Sequence, residues 1–513
     1  MAKRTFVYGA TILLAANLFN RILGFIYQYL IMSYIGGEAY GLFNMVFPVY
    51  MTALVLTTAG IPLAVAKLVS EEISLGHRTQ AKAIFRLALG ILTISGTVVA
   101  FLLYVLTPVL VNRIFPDPRV LNIFRICVPA IFVVSVSSAF RGYFQGLQNM
   151  IPTAVSQIFE QITRVTIGFT GALSFSARGV EWSAAGLALG MLSGEIIGLM
   201  VIIFQYQKSK KNLPTSGESI PPLQHTLHRL WRLSSPVTLG RLMSSGLSAL
   251  DAMLIPSRLQ VAGYSAREAT TLFGQLGGSA FTLLTFPSVF TFALATSLVP
   301  AISEAAARKQ YQTVRSRSSE AIRLTIILGL PCLIILFNFA DPLTSFFKSP
   351  NIGPILRVLA LGGIFAYLQQ TTTGILQGLG KVHLPVLISI VGAGVRVPLL
   401  FILTGIPQWG LRGSAWAYML GWVTMASLNM LSIIRYSGMA LDLQHFVLQP
   451  LTAGFGMAIS FRFLSPLGWG YSASLQKLTA GLIVYTVILV LNGAITRSDL
   501  RRIPWLGKYL PLK

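Results

Sequence analysis

Charge is scarce in this sequence: 11% of its 513 residues are charged and 54% are hydrophobic. A soluble domain is excluded, because its surface would lack polar groups. Acidic residues are scarcer still, 15 Asp and Glu against 39 Lys and Arg, for a net charge of +24. In a soluble chain that balance would suggest nucleic acid. Here nucleic acid is not an expected partner, and the balance points to anionic membrane lipids and an anionic substrate. The two cysteines, Cys127 and Cys332, lie in apolar runs with no CxxC spacing, so neither a disulfide framework nor a thiolate metal site is indicated. All five histidines, His77, His225, His228, His383 and His445, fall in predicted cytoplasmic connections, which argues against a zinc site or a proton relay in the membrane. Gly378-Leu-Gly380-Lys381 lacks P-loop spacing and a following Ser or Thr, and neither HExxH nor G-x-S-x-G occurs. No enzyme, cofactor or metal is therefore expected. Energy is expected from an ion gradient, the membrane potential or the substrate's own gradient.

Long apolar runs are what the sequence does have. They reach about 20 residues or more, too long for the roughly 10-residue alternating strands of a barrel, so their backbone groups are most cheaply satisfied in helices. The fold expected is an all-α integral membrane protein with about fourteen transmembrane helices. Lys3 and Arg4 precede an apolar run as in a signal peptide. Asn17, Asn20 and Arg21 interrupt that run and no small-residue cleavage site follows, so a retained first span is expected.

The longest polar interruption, Lys208 to Trp231, reads as the seam between two halves. Its first part is basic and turn-forming. After Pro221-Pro222, Leu223, Leu227, Leu230 and Leu233 recur at helical spacing with His225, His228, Arg229 and Arg232 on the other face, which predicts a short helix on the membrane surface. The resulting division is 1–206, an N-lobe; 207–232, a cytoplasmic linker; 233–438, a C-lobe; and 439–513, two terminal helices with a basic tail. An internal repeat supports it at an offset of roughly 220 to 240 residues. Phe47-Pro48 answers Phe286-Pro287, Pro62 answers Pro300, and Ser70-Glu71 answers Ser303-Glu304. Gln145-Gly146-Leu147 answers Gln377-Gly378-Leu379, and Arg164-Val165 answers Arg396-Val397. Two six-helix lobes as parallel repeats around a central cavity are expected.

A charge at the bilayer centre costs roughly 2.5–3.5 kcal/mol, so charges within spans point to function. They are Arg21, Glu160, Arg164, Glu195, Arg241, Asp251 and Arg396. Arg21 and Arg241 sit in the first span of each half and would line one cationic cavity, with Asn17 and Asn20 as neutral hydrogen-bond partners and Gly24 allowing close approach. Arg164 and Arg396 are further candidate substrate-binding residues. Glu160 and Arg164 are spaced i, i+4, which also reads as an intrahelical pair. The place corresponding to Glu160 in the second half is near Gly392, so Arg396 has no such partner. Asp251 and Glu160 are candidates for ion or proton coupling.

At Asn20-Arg21-Ile22-Leu23-Gly24-Phe25, Tyr34-Ile35-Gly36 and Gly41-Leu42-Phe43 the sequence resembles the polysaccharide-export branch of the multidrug/oligosaccharidyl-lipid/polysaccharide (MOP) flippase superfamily. Gly60-Ile61-Pro62, Ala66 to Glu71 and Phe144-Gln145-Gly146-Leu147 are similar to its sporulation-linked members, which are connected with cortex peptidoglycan. The resemblance covers essentially the whole chain. It implies two six-helix lobes plus a terminal pair, residence in the bacterial cytoplasmic membrane, and a flippase for an undecaprenyl-pyrophosphate-linked saccharide, with the peptidoglycan precursor lipid II as the leading choice. Members commonly carry a second basic residue where this chain has Tyr27 and Gln28, and the lipid II flippases carry basic residues where it has Tyr50-Met51-Thr52-Ala53. Two other functions compete: a cation-coupled exporter of small amphipathic compounds, and a non-transporting scaffold for wall-synthesis enzymes.

Loop charge orients the chain. Arg78, Lys82 and Arg86, the seam, Arg308 to Arg323 and the tail from Arg497 fall on one side of an even-numbered scheme, which the positive-inside rule makes cytoplasmic. Both termini and the seam are therefore predicted inside the cell. Single cysteines introduced as Ala2→Cys, Ser216→Cys and Pro511→Cys are expected to escape an impermeant thiol reagent applied to whole cells; strong labelling of Ser216→Cys would reverse the orientation.

Overall fold

A computed structural model describes residues 2–210, 223–439, 442, 444–464 and 471–494. The connector at 211–222 and the tail at 495–513 lie outside the described residues. Among the described residues every regular element is a helix. Nine helical stretches among them are long and apolar enough to cross a membrane. The apolar surface of one of them, 78–114, points outward, with Ile94, Phe101 and Val109 more than half exposed. That arrangement suits lipid as the solvent, and the chain is a multi-pass membrane protein.

The chain divides into two compact units, Met1–Gly278 and Ser279–Lys513. In the first, α1 (Ala2–Leu30) ends in a π-turn over Ile31–Ile35, and α2 (Gly37–Thr58) and α3 (Ile61–Ser74) meet at a bend. There follow α4 (Arg78–Ile114), α5 (Leu121–Gly146), α6 (Ile151–Phe175), α7 (Val180–Lys210), α8 (Leu223–Val261) and α9 (Ala266–Gln275). In the second unit, α10 (Thr282–Thr285), α11 (Ser288–Ala307), α12 (Tyr311–Asn338), α13 (Ala340–Phe346), α14 (Gly353–Gly378), α15 (His383–Thr404) and α16 (Gly410–Ser437) precede the terminal α17 (Gln449–Phe463) and α18 (Tyr471–Leu491). The terminal pair packs on α12, where the Tyr485 hydroxyl donates to the Ile327 carbonyl at 2.9 Å.

The unit boundary does not fall at the polar seam, because α8 and α9 pack on α2 and α3. Two features hold them there. Gly41 meets the backbone of Thr270, and Gly274 meets the backbone of Gly37 and Gly41, contacts that leave no room for a Cβ. Ion pairs tie both ends: Arg229 to Glu71 at 3.0 Å and Glu72 at 2.8 Å, and Arg267 and Arg119 to Glu38 at 2.8 and 2.7 Å. At the latter end Thr270 donates to Asp117 at 3.0 Å. Burial alone would raise the Asp117 pKa, but hydrogen bonds from the side chain and backbone of Arg119 outweigh it and hold the carboxyl below its usual range.

The separate surface helix expected after the seam does not form. Its residues are the first turns of α8, which continues unbroken into the following apolar stretch. Leu230 is buried in the core with Leu68 and Phe85, and Arg229 reaches back to α3. The helical spacing is present, with Leu230 and Leu233 of the apolar face packed on protein and Leu227 exposed.

The repeat is visible in close contacts. Gly146 lies against Ala66 and Val69, and Gly378 against Val299 and Ile302; Gly142 lies against Pro62, and Gly374 against Ala295. The counterpart of Pro62 is therefore Ala295, and the pairing of Pro62 with Pro300 is a slip of register. Helices α4 and α12 each start two residues after a left-handed residue, Gly76 (φ 86) or Lys309 (φ 57).

Helices α6 and α7 also cross closely. Gly186, Gly190, Gly194 and Gly198 form a stripe at four-residue spacing, and Gly190 sits directly on the backbone of Gly168. Gly190→Leu is expected to force the helices apart at a cost of about 1–3 kcal/mol, read as a lower melting temperature and less monodisperse protein in detergent. Gly90→Leu on α4, where nothing lies within 4 Å of an added Cβ, is expected to change neither.

Candidate functional site

The glycine stripe determines which charges meet. A Cβ on Gly194 would lie 2.8 Å from the Glu160 carbonyl and 3.1 Å from the Arg164 Cβ, so α7 delivers Glu195 to the charged face of α6. Arg164 Nη2 donates to Glu160 Oε1 at 2.7 Å and to Glu195 Oε1 at 2.8 Å. Arg141, from α5, donates through Nη2 to Glu160 Oε2 at 2.7 Å. The i, i+4 pair read from the sequence forms and is half of a larger cluster. Two guanidinium groups face two carboxylates, so the cluster balances its own charge. Arg141 Nε, Arg164 Nε and Glu195 Oε2 are buried without hydrogen-bond partners, leaving two donors and one acceptor for water.

Arg141 was not singled out from the sequence, although its run is apolar on both flanks, Ala139-Phe140 and Gly142-Tyr143. The missed signal was a lone arginine inside a span, the same signal that marked Arg164.

Arg21 and Arg241 have a different environment. Both are exposed, on α1 and α8, and neither has an ion-pair or hydrogen-bond partner among the described residues. Asn17 is exposed and Asn20 half-buried, with Asn20 Oδ1 itself buried and lacking a hydrogen-bond partner. One turn on from Arg21, Gly24 admits the Gln161 amide of α6, which would lie 3.8 Å from an added Cβ. Asp251 is buried within α8, ten residues beyond Arg241.

In the second unit Arg396 rests over the Tyr418 ring, 4.9 Å from its centroid. Its register repeats that of Arg164: Arg396 packs on Gly421 of α16 as Arg164 packs on Gly194 of α7. The residue after each glycine differs, Glu195 in one and Trp422 in the other, and Gly392 stands in place of Glu160. The expected break in symmetry is present: a carboxylate cage surrounds Arg164, and an aromatic face meets Arg396.

Comparison with known proteins agrees with this architecture. The family model for Polysaccharide biosynthesis protein matches residues 6–306, and the MatE family model matches residues 276–402. The chain is 31% identical to Stage V sporulation protein B of Bacillus subtilis (strain 168), over 99% of this chain and 100% of that protein. It is 24% identical to Lipid II flippase MurJ of the same organism, over 84% of this chain and 82% of the relative. Among solved structures, Lipid II flippase MurJ in an inward closed conformation superposes with a TM-score of 0.72 at 16% identity, covering 94% of this chain and 98% of that one. A multidrug resistance MATE family transporter of the MOP superfamily, inward-facing, has a TM-score of 0.66 at 14% identity, covering 82% and 95%.

Removing one member of the buried cluster would leave an uncompensated charge. Arg164→Ala, which strips Glu195 of its arginine, is expected to cost about 3–5 kcal/mol, seen as a lower melting temperature and poor recovery of folded protein. Arg21→Ala is expected to melt with the wild type. Equal stability of Arg164→Ala and wild type would refute the structural role of the cluster.

Proposed function

Because the chain belongs to the polysaccharide biosynthesis protein family of the MOP superfamily, we propose that it is a flippase for an undecaprenyl-pyrophosphate-linked saccharide, with lipid II the leading substrate, working by alternating access in cell-wall or spore-cortex synthesis. The observation that carries this reading is the contrast between two kinds of arginine. Arg141 and Arg164 are balanced by carboxylates, whereas Arg21 and Arg241 are exposed and have no acidic partner among the described residues. A cation inside an apolar helix without a counter-charge is expensive in lipid unless an anion meets it. A pyrophosphate supplies two phosphoryl groups, each able to accept the paired N–H donors of a guanidinium. In this reading Arg21 and Arg241 hold the pyrophosphate, Asn17 and Asn20 bind neighbouring hydroxyl or amide groups, and the prenyl chain stays in lipid.

Export of small amphipathic cations is less well supported. It calls for available carboxylates, and Glu160 and Glu195 are both occupied by arginine. Asp251 is the remaining candidate for ion coupling. The similarity to a sporulation protein also fits a scaffold for wall-synthesis enzymes; a scaffold, however, has no use for exposed arginines that lack an acidic partner.

The test is flipping of fluorescent lipid II in proteoliposomes, with binding measured on the same preparations. Each arginine contact is worth about 1.5–3 kcal/mol, so Arg21→Ala and Arg241→Ala are each expected to weaken binding by about 10- to 150-fold while keeping normal monodisperse yield. Lysine at either place is expected to restore part of the loss, since it keeps the charge without the fork. Wild-type flipping by both well-folded alanine variants would sink the proposed clamp.

A further inference from the structure

The second unit contains a cavity of about 440 Å³ between α10, α11, α14 and α16. Its chemistry is unlike that of the charged cluster. Among the described residues that line it none is charged, and the polar groups are amides and hydroxyls, chiefly Gln369, Gln377, Thr373 and Ser288. Phe281 and Trp422 add aromatic faces.

The walls are held from behind. The Tyr367 hydroxyl donates to the Leu284 carbonyl at 2.6 Å, and Thr291 donates to Gln370 Oε1 at 2.7 Å. Asn429 Nδ2 donates to the hydroxyls of Thr372 and Thr373 at 3.1 and 3.3 Å, so Thr373 keeps its own proton to offer. Phe281 packs edge-on against Tyr418 at 4.9 Å, and Tyr418 packs against Trp422 at 5.8 Å. Arg396, stacked on Tyr418, backs this aromatic group. The side-chain amides of Gln369 and Gln377, by contrast, have no hydrogen-bond partner among the described residues.

Each ligand class makes a different demand on such a site. An anion would need a cation in the wall, and a cation would need a carboxylate. A prenyl chain would leave the amides unsatisfied, which is costly away from water. A neutral sugar suits the amides, the hydroxyls and the aromatic faces together: its hydroxyl and acetamido groups pair with amides and hydroxyls, and its axial C–H face lies on an aromatic ring. The volume is within the range of small-molecule sites. We propose that this cavity binds the saccharide of the lipid-linked substrate, with a pyranose ring on Trp422 and hydrogen bonds to Gln369, Gln377 and Thr373. The inference rests on the flippase reading and deepens it by naming the part of the substrate that the cavity of the second unit takes.

The experiment uses the purified full-length chain and three probes: diacetylchitobiose as a neutral disaccharide, farnesyl pyrophosphate as a short prenyl pyrophosphate, and tetraphenylphosphonium as an amphipathic cation. Saturation-transfer NMR and titration calorimetry read binding, and a diazirine-tagged chitobiose on the wild-type chain maps the site without any mutation. The disaccharide is expected to bind and to crosslink to α14 and α16. Gln369→Leu with Gln377→Leu, or Trp422→Leu, is expected to weaken it by about tenfold or more, with Trp422→Phe close to wild type and farnesyl pyrophosphate unaffected. Disaccharide binding that survives these variants, or crosslinks that fall elsewhere, would overturn the cavity assignment and leave the flippase reading standing. So would a loss confined to farnesyl pyrophosphate, which would assign the cavity to the prenyl chain, or a wild type that binds farnesyl pyrophosphate but no disaccharide. Binding of tetraphenylphosphonium alone would overturn the flippase reading and the sugar site together.

Discussion

A charge inside hydrocarbon must be met by an opposite charge or by a ligand, and this requirement sets Arg141 and Arg164 of the first unit apart from Arg21 and Arg241. Arg141 and Arg164 meet Glu160 and Glu195 within a lattice of three hydrogen bonds. That lattice depends on the approach of α6 to α7, and the approach depends on glycine at four successive helical turns of α7. The same cluster joins α5, α6 and α7, so a bulky residue at Gly190 or Gly194 would disturb its charge balance as well as the helix crossing.

The two repeats share this geometry and differ in chemistry. Arg164 of α6 packs on Gly194 of α7, and Arg396 of α15 packs on Gly421 of α16. In the first repeat the surroundings are acidic, and in the second they are aromatic, with Trp422 following Gly421 and Tyr418 beneath Arg396. One backbone plan therefore holds a self-neutralised ionic cluster in one unit and a neutral amide-lined cavity in the other.

The ties at both ends of α8 and α9 show why compact units need not follow sequence repeats. Glu38, Glu71 and Glu72, three of only 15 acidic residues, are spent on arginines that join these helices to α2, α3 and the turn at Arg119. With glycine contacts between them, the hairpin becomes part of the first unit although its sequence begins the second repeat. A chain so poor in carboxylates places them where two helices must stay together.

The sequence alone determined the environment, the helical class and the repeat, because apolar runs of bilayer length permit few alternatives and duplicated motifs keep their order. It also flagged most of the charges worth examining, since a lone arginine or glutamate in an apolar run is visible without coordinates. Tertiary structure decided which of those charges are already satisfied. Spacing could pair Glu160 with Arg164 four residues away, but Arg141 and Glu195 enter from other helices, and only the packing of α5, α6 and α7 brings them within hydrogen-bond reach. The register at Pro62, the burial of Leu230 and the neutral cavity beside Trp422 were equally hidden, because each depends on contacts between residues far apart in the chain, and a helical period says which face is apolar without saying what that face meets.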